Sequence, residues 1–178
     1  MKEYVLVGAC GASCGLCPFH HKEGKEFCGG CGSATRIKKG CPILQCCLSH
    51  GFETCGECEK YPCDNYKNEI LVRTTIPHKK ARENLEFIRK HGLEEAWNEE
   101  KKRIRLLEKM LVGFDDGNLL NFCCLAASML STHGLEKAIE RARNEATHYH
   151  VAQEQKARIL KKFIERAGVG EGLKEVFS

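Results

Sequence analysis

Residues 10–63 read CGASCGLCPFHHKEGKEFCGGCGSATRIKKGCPILQCCLSHGFETCGECEKYPC. This stretch holds eleven of the 13 cysteines of the 178-residue chain. It is punctuated by glycine and carries few large apolar side chains. A segment of this size with so little to bury needs disulfides or bound metal to keep a fold. We therefore predict an irregular module whose loops are cross-linked through its cysteines, either by disulfides or by bound metal.

We expect the cysteines to bind metal ions and not to form disulfides. Lys2 and Glu3 precede too few apolar residues before Cys10 to form the apolar region of a secretory signal. No run of residues approaches the length of a membrane-spanning helix, so no membrane contact is expected. These features predict a cytoplasmic protein whose thiols stay reduced, and reduced thiols bind metal ions.

Cysteine spacing supplies the candidate ligands. Two cysteines separated by two residues can direct both sulfurs at one tetrahedral centre, and a glycine at the turn lets backbone amides approach the thiolates. Four such pairs or near-pairs occur here. The predicted metal ligands are Cys10, Cys14, Cys17, Cys28, Cys31, Cys41, Cys46, Cys55, Cys58 and Cys63.

Structural zinc, about two ions per chain, is the favoured cofactor, because eight sulfurs make two tetrahedral sites. Cys10 and Cys47 are then substitutes or spares, and His20, His21 or His50 are candidates to complete a site with three cysteines. The predicted first site takes Cys14, Cys17, Cys28 and Cys31, and the second draws on Cys41, Cys46, Cys55, Cys58 and Cys63.

Iron–sulfur clusters remain the alternative. The spacing of Cys10, Cys14 and Cys17 suits three irons of a cubane cluster, and a distant residue such as Cys63 would supply the fourth ligand. The same spacing occurs in radical enzymes that use S-adenosylmethionine. That class is excluded, because the chain shows no alternation of strands and helices and has no room for their barrel.

Four cysteine motifs follow one another along the chain: Ala9-Cys10-Gly11-x2-Cys14-x2-Cys17-Pro18, Cys28-x-Gly30-Cys31, Cys41-x4-Cys46 and Cys55-Gly56-x-Cys58-x2-Tyr61-Pro62-Cys63. This ordered series resembles a prokaryotic family catalogued as domain of unknown function 3795. The resemblance covers roughly residues 4 to 90. It implies a metal site and no known activity. Cys47 and the helical extension after residue 93 lie outside its pattern.

Helical periodicity dominates the rest of the chain, so we expect a mainly α protein. The predicted domains are a cysteine-rich module with a connector, residues 1–76, and a helical bundle, residues 77–178. Residues 3–8 are expected to form a short strand or an extended lead-in. The cysteine-rich module should contain at most one or two short helices, of which Pro42–His50 is the favoured one, and residues 64–76 should be a connector.

Four segments of the bundle have helical character. Glycines 92, 113 and 134 are expected to end the first three helices. The third helix should be central and buried. The glycine-rich tail should dock against the bundle through Leu173 and Phe177. The predicted segments are His78–His91, Leu93–Val112, Leu119–Ser131, and 135–167 as one long helix or a jointed pair.

Charge argues against nucleic acid as a partner. The net charge is +4 and is spread thinly, and two zinc ions held by eight thiolates would make residues 1–63 negative. The basic cluster at Arg36, Lys38 and Lys39 is therefore expected to be a solvated loop. No phosphate loop, nucleophile elbow or dinucleotide fingerprint occurs, so an enzyme is the less favoured class.

The sequence therefore predicts a metal-binding module for binding or assembly whose partner is another protein. Phe19, Phe27 and Phe52 are expected to be an exposed contact surface that packs against either the helical bundle or another protein. The alternative is a cluster-carrying electron-transfer or accessory subunit of an anaerobic redox enzyme. Cys123 and Cys124 are expected to be buried apolar thiols, and Glu145-x2-His148 a solvated helix face.

Overall fold

A computed structural model describes residues 6–31, 33, 40–149 and 151–177. Most of these residues are helical, which confirms the prediction of a mainly α protein. Val7 and Ser13 form one isolated antiparallel bridge, whereas residues 3–5 of the predicted lead-in lie outside the described residues. The chain divides into two compact units, Met1–Lys101 and Lys102–Ser178.

The first unit combines short turns with helices. Its helices are α1 (Pro42–His50), α2 (Asp64–Leu71), α3 (Ala81–His91) and the beginning of α4 (Leu93–Phe114). Single 3₁₀ turns lie at Cys14–Leu16, Pro18–His20, Gly24–Glu26, Cys55–Glu57 and Ile76–His78.

Helix α1 has the predicted bounds. Pro42 occupies its first turn, where a missing N–H costs nothing, and Gly51 ends it in the left-handed region at φ 74°. The expected connector over residues 64–76 is wrong, because residues 64–71 form α2. Tyr66 and Ile70, one helical turn apart, bury the inner face of that helix.

An apolar core stabilises the first unit, which the cysteine-rich stretch alone does not predict. Ile43 and Leu44 of α1 pack in one cluster with Tyr66 of α2 and Leu85 and Ile88 of α3. Helices beyond residue 63 thus supply the surface that the cysteine-rich stretch lacks. The expectation that coordination alone holds this region is therefore corrected.

The compact unit that contains the cysteines extends to Lys101, well past the predicted domain boundary at residue 76. Whether residues 1–76 fold by themselves stays a prediction.

The second unit consists of the end of α4 and the helices α5 (Leu120–Met129), α6 (Thr132–Tyr149), α7 (Gln153–Gly170) and α8 (Lys174–Phe177). Five of the ten residues of helix α5 are buried, as expected for a helix inside the bundle. Arg103 fixes its end by donating to the carbonyl oxygens of Ala127 at 2.8 Å and Leu130 at 2.7 Å.

Two of the expected helix ends are wrong. Helix α4 runs through Gly113 to Phe114, and α6 contains Gly134 near its beginning. In both helices the residue next to the glycine, Phe114 or Leu135, is buried. The free energy gained by packing that side chain exceeds the modest loss of helix stability that one glycine causes. Of the two alternatives for the long fourth segment, the structure has the jointed pair, α6 and α7, which pack against each other.

The tail docks as predicted through Phe177, whose ring lies 6.0 Å from that of Phe122 in an edge-to-face arrangement. Within the described part of the chain, no helix is both long and apolar enough to cross a membrane.

Candidate metal centres

Eleven cysteines of the first unit line two cavities. The first cavity measures about 80 Å³ and the second about 250 Å³. Group A, around the first, comprises Cys10, Cys14, Cys17, Cys28, Cys31 and Cys41. Group B, around the second, comprises Cys46, Cys47, Cys55, Cys58 and Cys63. All ten predicted ligands and Cys47 therefore belong to one group or the other.

Backbone packing brings the sulfurs of group A together. The thiols of Cys14 and Cys31 hydrogen-bond to each other. A Cβ atom on Gly8 would lie only 3.1 Å from the sulfur of Cys31 and 3.2 Å from that of Cys14. Glycine at this position therefore lets the backbone pass beside the sulfur pair.

Burial and a thiol–thiol hydrogen bond raise the pKa of two cysteines in group A. The hydrogen bond with Cys31, together with burial, raises the pKa of Cys14 well above its ordinary value. Burial raises the pKa of Cys10 to about 12. A bound metal ion has the opposite effect, because direct coordination stabilises the thiolate form.

Arg73 provides a cationic side chain at group A. Its Nη2 donates to the sulfur of Cys41 at 3.4 Å and to Glu69 Oε2 at 3.1 Å, and its Nε donates to the Glu69 carbonyl oxygen at 3.2 Å. The Arg73 side chain thus lines the first cavity in a fixed orientation.

Group B contains a direct sulfur contact. The sulfurs of Cys47 and Cys55 lie 3.8 Å apart. Their hydrogen bond, in which either thiol can donate, lowers the pKa of Cys47 and raises that of Cys55.

A capping box and an arginine hold the Cys55–Cys58 turn of group B. The Gly56 N–H donates to Thr54 Oγ1 at 3.2 Å, and the Thr54 N–H donates to Glu57 Oε2 at 2.8 Å. Arg89 of α3 donates to the carbonyl oxygens of Gly56 at 3.3 Å and Cys58 at 2.8 Å. The turn that presents Cys55 and Cys58 is therefore fixed from both sides.

Two hydrogen bonds connect the loop that carries Cys10 to group B and to α2. The Cys55 N–H donates to the carbonyl oxygen of Ala9 at 2.9 Å, and Tyr66 Oη donates to the carbonyl oxygen of Cys10 at 3.3 Å. The loop that carries Cys10 is thus anchored to a residue of group B and to α2.

Among the described residues, no three or more Cys, His, Asp or Glu side chains are already arranged as a metal site. The donor set nevertheless fits zinc, since both groups consist of sulfur, a preferred zinc ligand. Zinc–sulfur bonds of about 2.3 Å place two tetrahedral ligands about 3.8 Å apart. The sulfurs of Cys47 and Cys55 have that separation.

Placement of the cysteines corrects the expected division in two respects. The expected first set, Cys14, Cys17, Cys28 and Cys31, does line one cavity. Cys41 lies with that set rather than with the second, because it precedes α1 whereas Cys46 and Cys47 lie more than one turn along it. Cys47, expected to be a spare, lines the second cavity.

The three candidate histidines differ in position. His50 borders the second cavity, and its Nδ1 lies 4.0 Å from the sulfur of Cys46. His20 and His21 instead donate to the carbonyl oxygens of Cys28 at 3.0 Å and Gly15 at 2.9 Å. These two rings brace the backbone around group A.

Arg73 is the residue that sequence reasoning missed. It lies in the stretch taken for a connector, and no spacing rule links it to Cys41. The one available signal was the pair Tyr66 and Ile70, whose helical spacing indicates that residues 64–71 fold back on the module.

The weaker sequence signals have ordinary structural roles. Cys123 and Cys124 are completely buried, and burial together with Asp115 raises the pKa of Cys123 to about 12. Glu145 differs from the expected solvated face, because its side chain is only 27% exposed and pairs at 2.8 Å with Lys162 of the neighbouring helix α7. Arg36, Lys38 and Lys39 lie outside the described residues.

Two of the three expected contact aromatics are exposed. Phe19 is 47% and Phe27 53% exposed, with the His20 ring 5.7 Å from that of Phe27. Phe52 differs from expectation, because it stacks on His50 at 6.0 Å and packs against the core of its own unit.

Comparison with protein families gives a match over residues 6–68, to a family described as "Protein of unknown function (DUF3795)". The predicted family resemblance is confirmed. The DUF3795 match includes every cysteine of groups A and B and ends within α2, so Arg73, α3 and the second unit lie beyond it. Neither the curated proteins nor the solved structures include a match to this chain.

Proposed function

We propose that the first unit is a zinc-binding module in which groups A and B each hold one ion, and that the protein acts in binding or assembly rather than catalysis. The observation that carries this proposal is the division of eleven cysteines between two cavities. Each group has at least the four sulfurs that a tetrahedral site requires.

Ligand selection follows from placement. Cys14, Cys17, Cys28 and Cys31 supply two close pairs for group A, with Cys41 and Cys10 as further sulfurs. In group B, the contact between Cys47 and Cys55 supplies one edge of the tetrahedron. Cys46, Cys58 and Cys63 offer the remaining ligands.

The zinc ions act as structural cross-links. They join loops that carry few large apolar side chains to the core that α1, α2 and α3 form. Reduced thiols also require a reducing compartment, which supports a cytoplasmic location. The exposed rings of Phe19 and Phe27 offer a surface for a protein partner.

Iron–sulfur binding is the second candidate, and one observation favours it. Cys10, Cys14 and Cys17, whose spacing suits a cubane cluster, all line the first cavity. Cys63, the expected fourth ligand, lines the second cavity instead, so the fourth ligand would come from Cys28, Cys31 or Cys41. In that case the protein would carry electrons for a redox partner.

Elemental analysis of protein purified under anaerobic conditions tests both candidates. We expect about two zinc ions per chain and a colourless solution. Brown protein that contains iron and sulfide would replace zinc with the cluster alternative. Less than half an equivalent of any transition metal in freshly prepared protein would refute metal binding altogether.

A further inference from the structure

We infer that Arg73 is a positioning residue of the metal centre in group A, and that it holds Cys41 on the ion by donating a charge-assisted N–H···S hydrogen bond. This inference rests on the proposed zinc function, and it assigns Cys41 to that centre. Cys41 then belongs among the four ligands drawn from the six sulfurs of group A.

Geometry gives the first argument. The guanidinium group lies 3.4 Å from the Cys41 sulfur, within the range of hydrogen bonds to sulfur. Two hydrogen bonds to Glu69, one to its carboxylate and one to its carbonyl oxygen, fix the arginine on α2. The side chains of Arg73 and Glu69 are only 25% and 30% exposed. The donor is therefore held in place before any ion binds.

Charge gives the second argument. One divalent ion with four thiolates carries a net charge of about −2, and placing that charge in a protected cavity is costly without nearby compensation. Arginine remains protonated under all ordinary conditions and offers several donors in a fixed plane. Arg73 is the one Lys or Arg side chain among the described residues that line this cavity.

The position of Cys41 explains why it needs such a partner. The other sulfurs belong to close pairs or to the Cys10–Cys17 turn, whereas Cys41 is the residue just before α1. Its approach to group A depends on the packing of α1 against α2, and Arg73 lies two residues after the end of α2. The hydrogen bond thus ties a solitary ligand to the helix that faces it.

The test compares Arg73→Met and Arg73→Lys with Arg89→Met in zinc-loaded protein. Arg89 is the matched control, because it donates to the carbonyl oxygens of Gly56 and Cys58 at group B and to no sulfur. Zinc loss to a chromogenic chelator and alkylation of Cys41 by N-ethylmaleimide, mapped by mass spectrometry, are the two measurements.

We expect Arg73→Met to raise the alkylation rate of Cys41 about tenfold and to accelerate the release of one zinc ion, because a charge-assisted hydrogen bond is lost. Arg73→Lys should restore part of the protection, and Arg89→Met should leave Cys41 protected. If Arg73→Met does not fold, Glu69→Gln frees the arginine and should give an intermediate rate.

Three results would overturn the inference. In one, the parent holds two zinc ions but Cys41 reacts equally fast in the parent, Arg73→Met and Glu69→Gln. In another, Arg89→Met exposes Cys41 as strongly as Arg73→Met does. The third is a parent that contains no metal, which removes the proposed zinc function and this inference together, so the zinc content of the parent separates the two failures.

Discussion

Gly11 shows how a single residue couples the cysteine loops to a helix outside them. It has φ 84°, and a Cβ atom there would overlap the carbonyl oxygen of Ala81 at the beginning of α3. Asn84 donates to the Gly11 carbonyl oxygen at 2.8 Å from the same helix. The loop between Cys10 and Cys14 therefore depends on close contact with α3.

We expect Gly11→Ala to destabilise the first unit by about 3 kcal/mol or more, because strain at positive φ adds to overpacking against the backbone. Gly24→Ala is the matched control: Gly24 has φ 62° but no atom within 4 Å of the added Cβ. It should cost only about 1 to 2 kcal/mol. Urea unfolding followed by near-ultraviolet circular dichroism measures both, and equal losses would contradict the role given to α3.

Residue chemistry predicted part of the candidate site. The spacing of Cys14, Cys17, Cys28 and Cys31 was sufficient to assign them to one site. Two cysteines separated by two residues on a short turn direct their sulfur atoms to the same side. Cys41 and Cys47 were misplaced because their directions depend on how α1 packs. That packing is a tertiary property that cysteine spacing does not encode.

At the scale of elements, α1 and α2 differ in how far the sequence predicts them. Pro42 and Gly51 mark both ends of α1 by backbone chemistry alone. Helix α2 has no comparable signals, and its pattern of two buried residues, Tyr66 and Ile70, is too short to stand out. The helix ends predicted at Gly113 and Gly134 were wrong because a glycine ends a helix only where the packing of its neighbours does not favour continuation of the helix.

Helix α2 should resist proteolysis in the native protein. Its backbone is helical, and Tyr66 is 1% exposed and tied to the Cys10 carbonyl oxygen. Trypsin should therefore cut slowly at Lys67, although that side chain is exposed. Tyr66→Ala should open the segment and speed this cleavage at least tenfold, since it removes a buried aromatic ring.

Mass spectrometry of early tryptic fragments checks this expectation. Lys22 provides the internal control, because it lies between two short 3₁₀ turns rather than in a helix. Cleavage at Lys67 as fast as at Lys22 in the parent would show that residues 64–76 act as the connector that the sequence suggested.

At the scale of the whole molecule, the two units differ in cysteine content, although both have buried apolar residues. The first has an apolar cluster in addition to eleven cysteines, whereas the second buries α5 among other helices and carries only the thiols of Cys123 and Cys124. Composition predicted the unequal distribution of cysteines but not the apolar cluster of the first unit. The extent of the first unit, to Lys101, was not predictable because it depends on the packing of α3 and α4 residues against the cysteine loops.

Removal of metal should affect the two units unequally. We expect a strong chelator to lower the melting temperature of the first unit and to leave most helical circular dichroism intact, because structural zinc supplies roughly 10 to 16 kcal/mol of binding free energy. Calorimetry should show one transition that responds to the chelator and one that does not. Cys28→Ser and Cys58→Ser should each reproduce part of the chelator's effect, with loss of about one ion.

Cys123→Ala tests the opposite case. It leaves a small cavity in α5, so it should lower the melting temperature of the second unit while the zinc content stays unchanged. A single transition that shifts equally with chelator, Cys28→Ser and Cys123→Ala would show that the units unfold together. Full metal content and parental melting in both serine variants would instead show that Cys28 and Cys58 are not ligands.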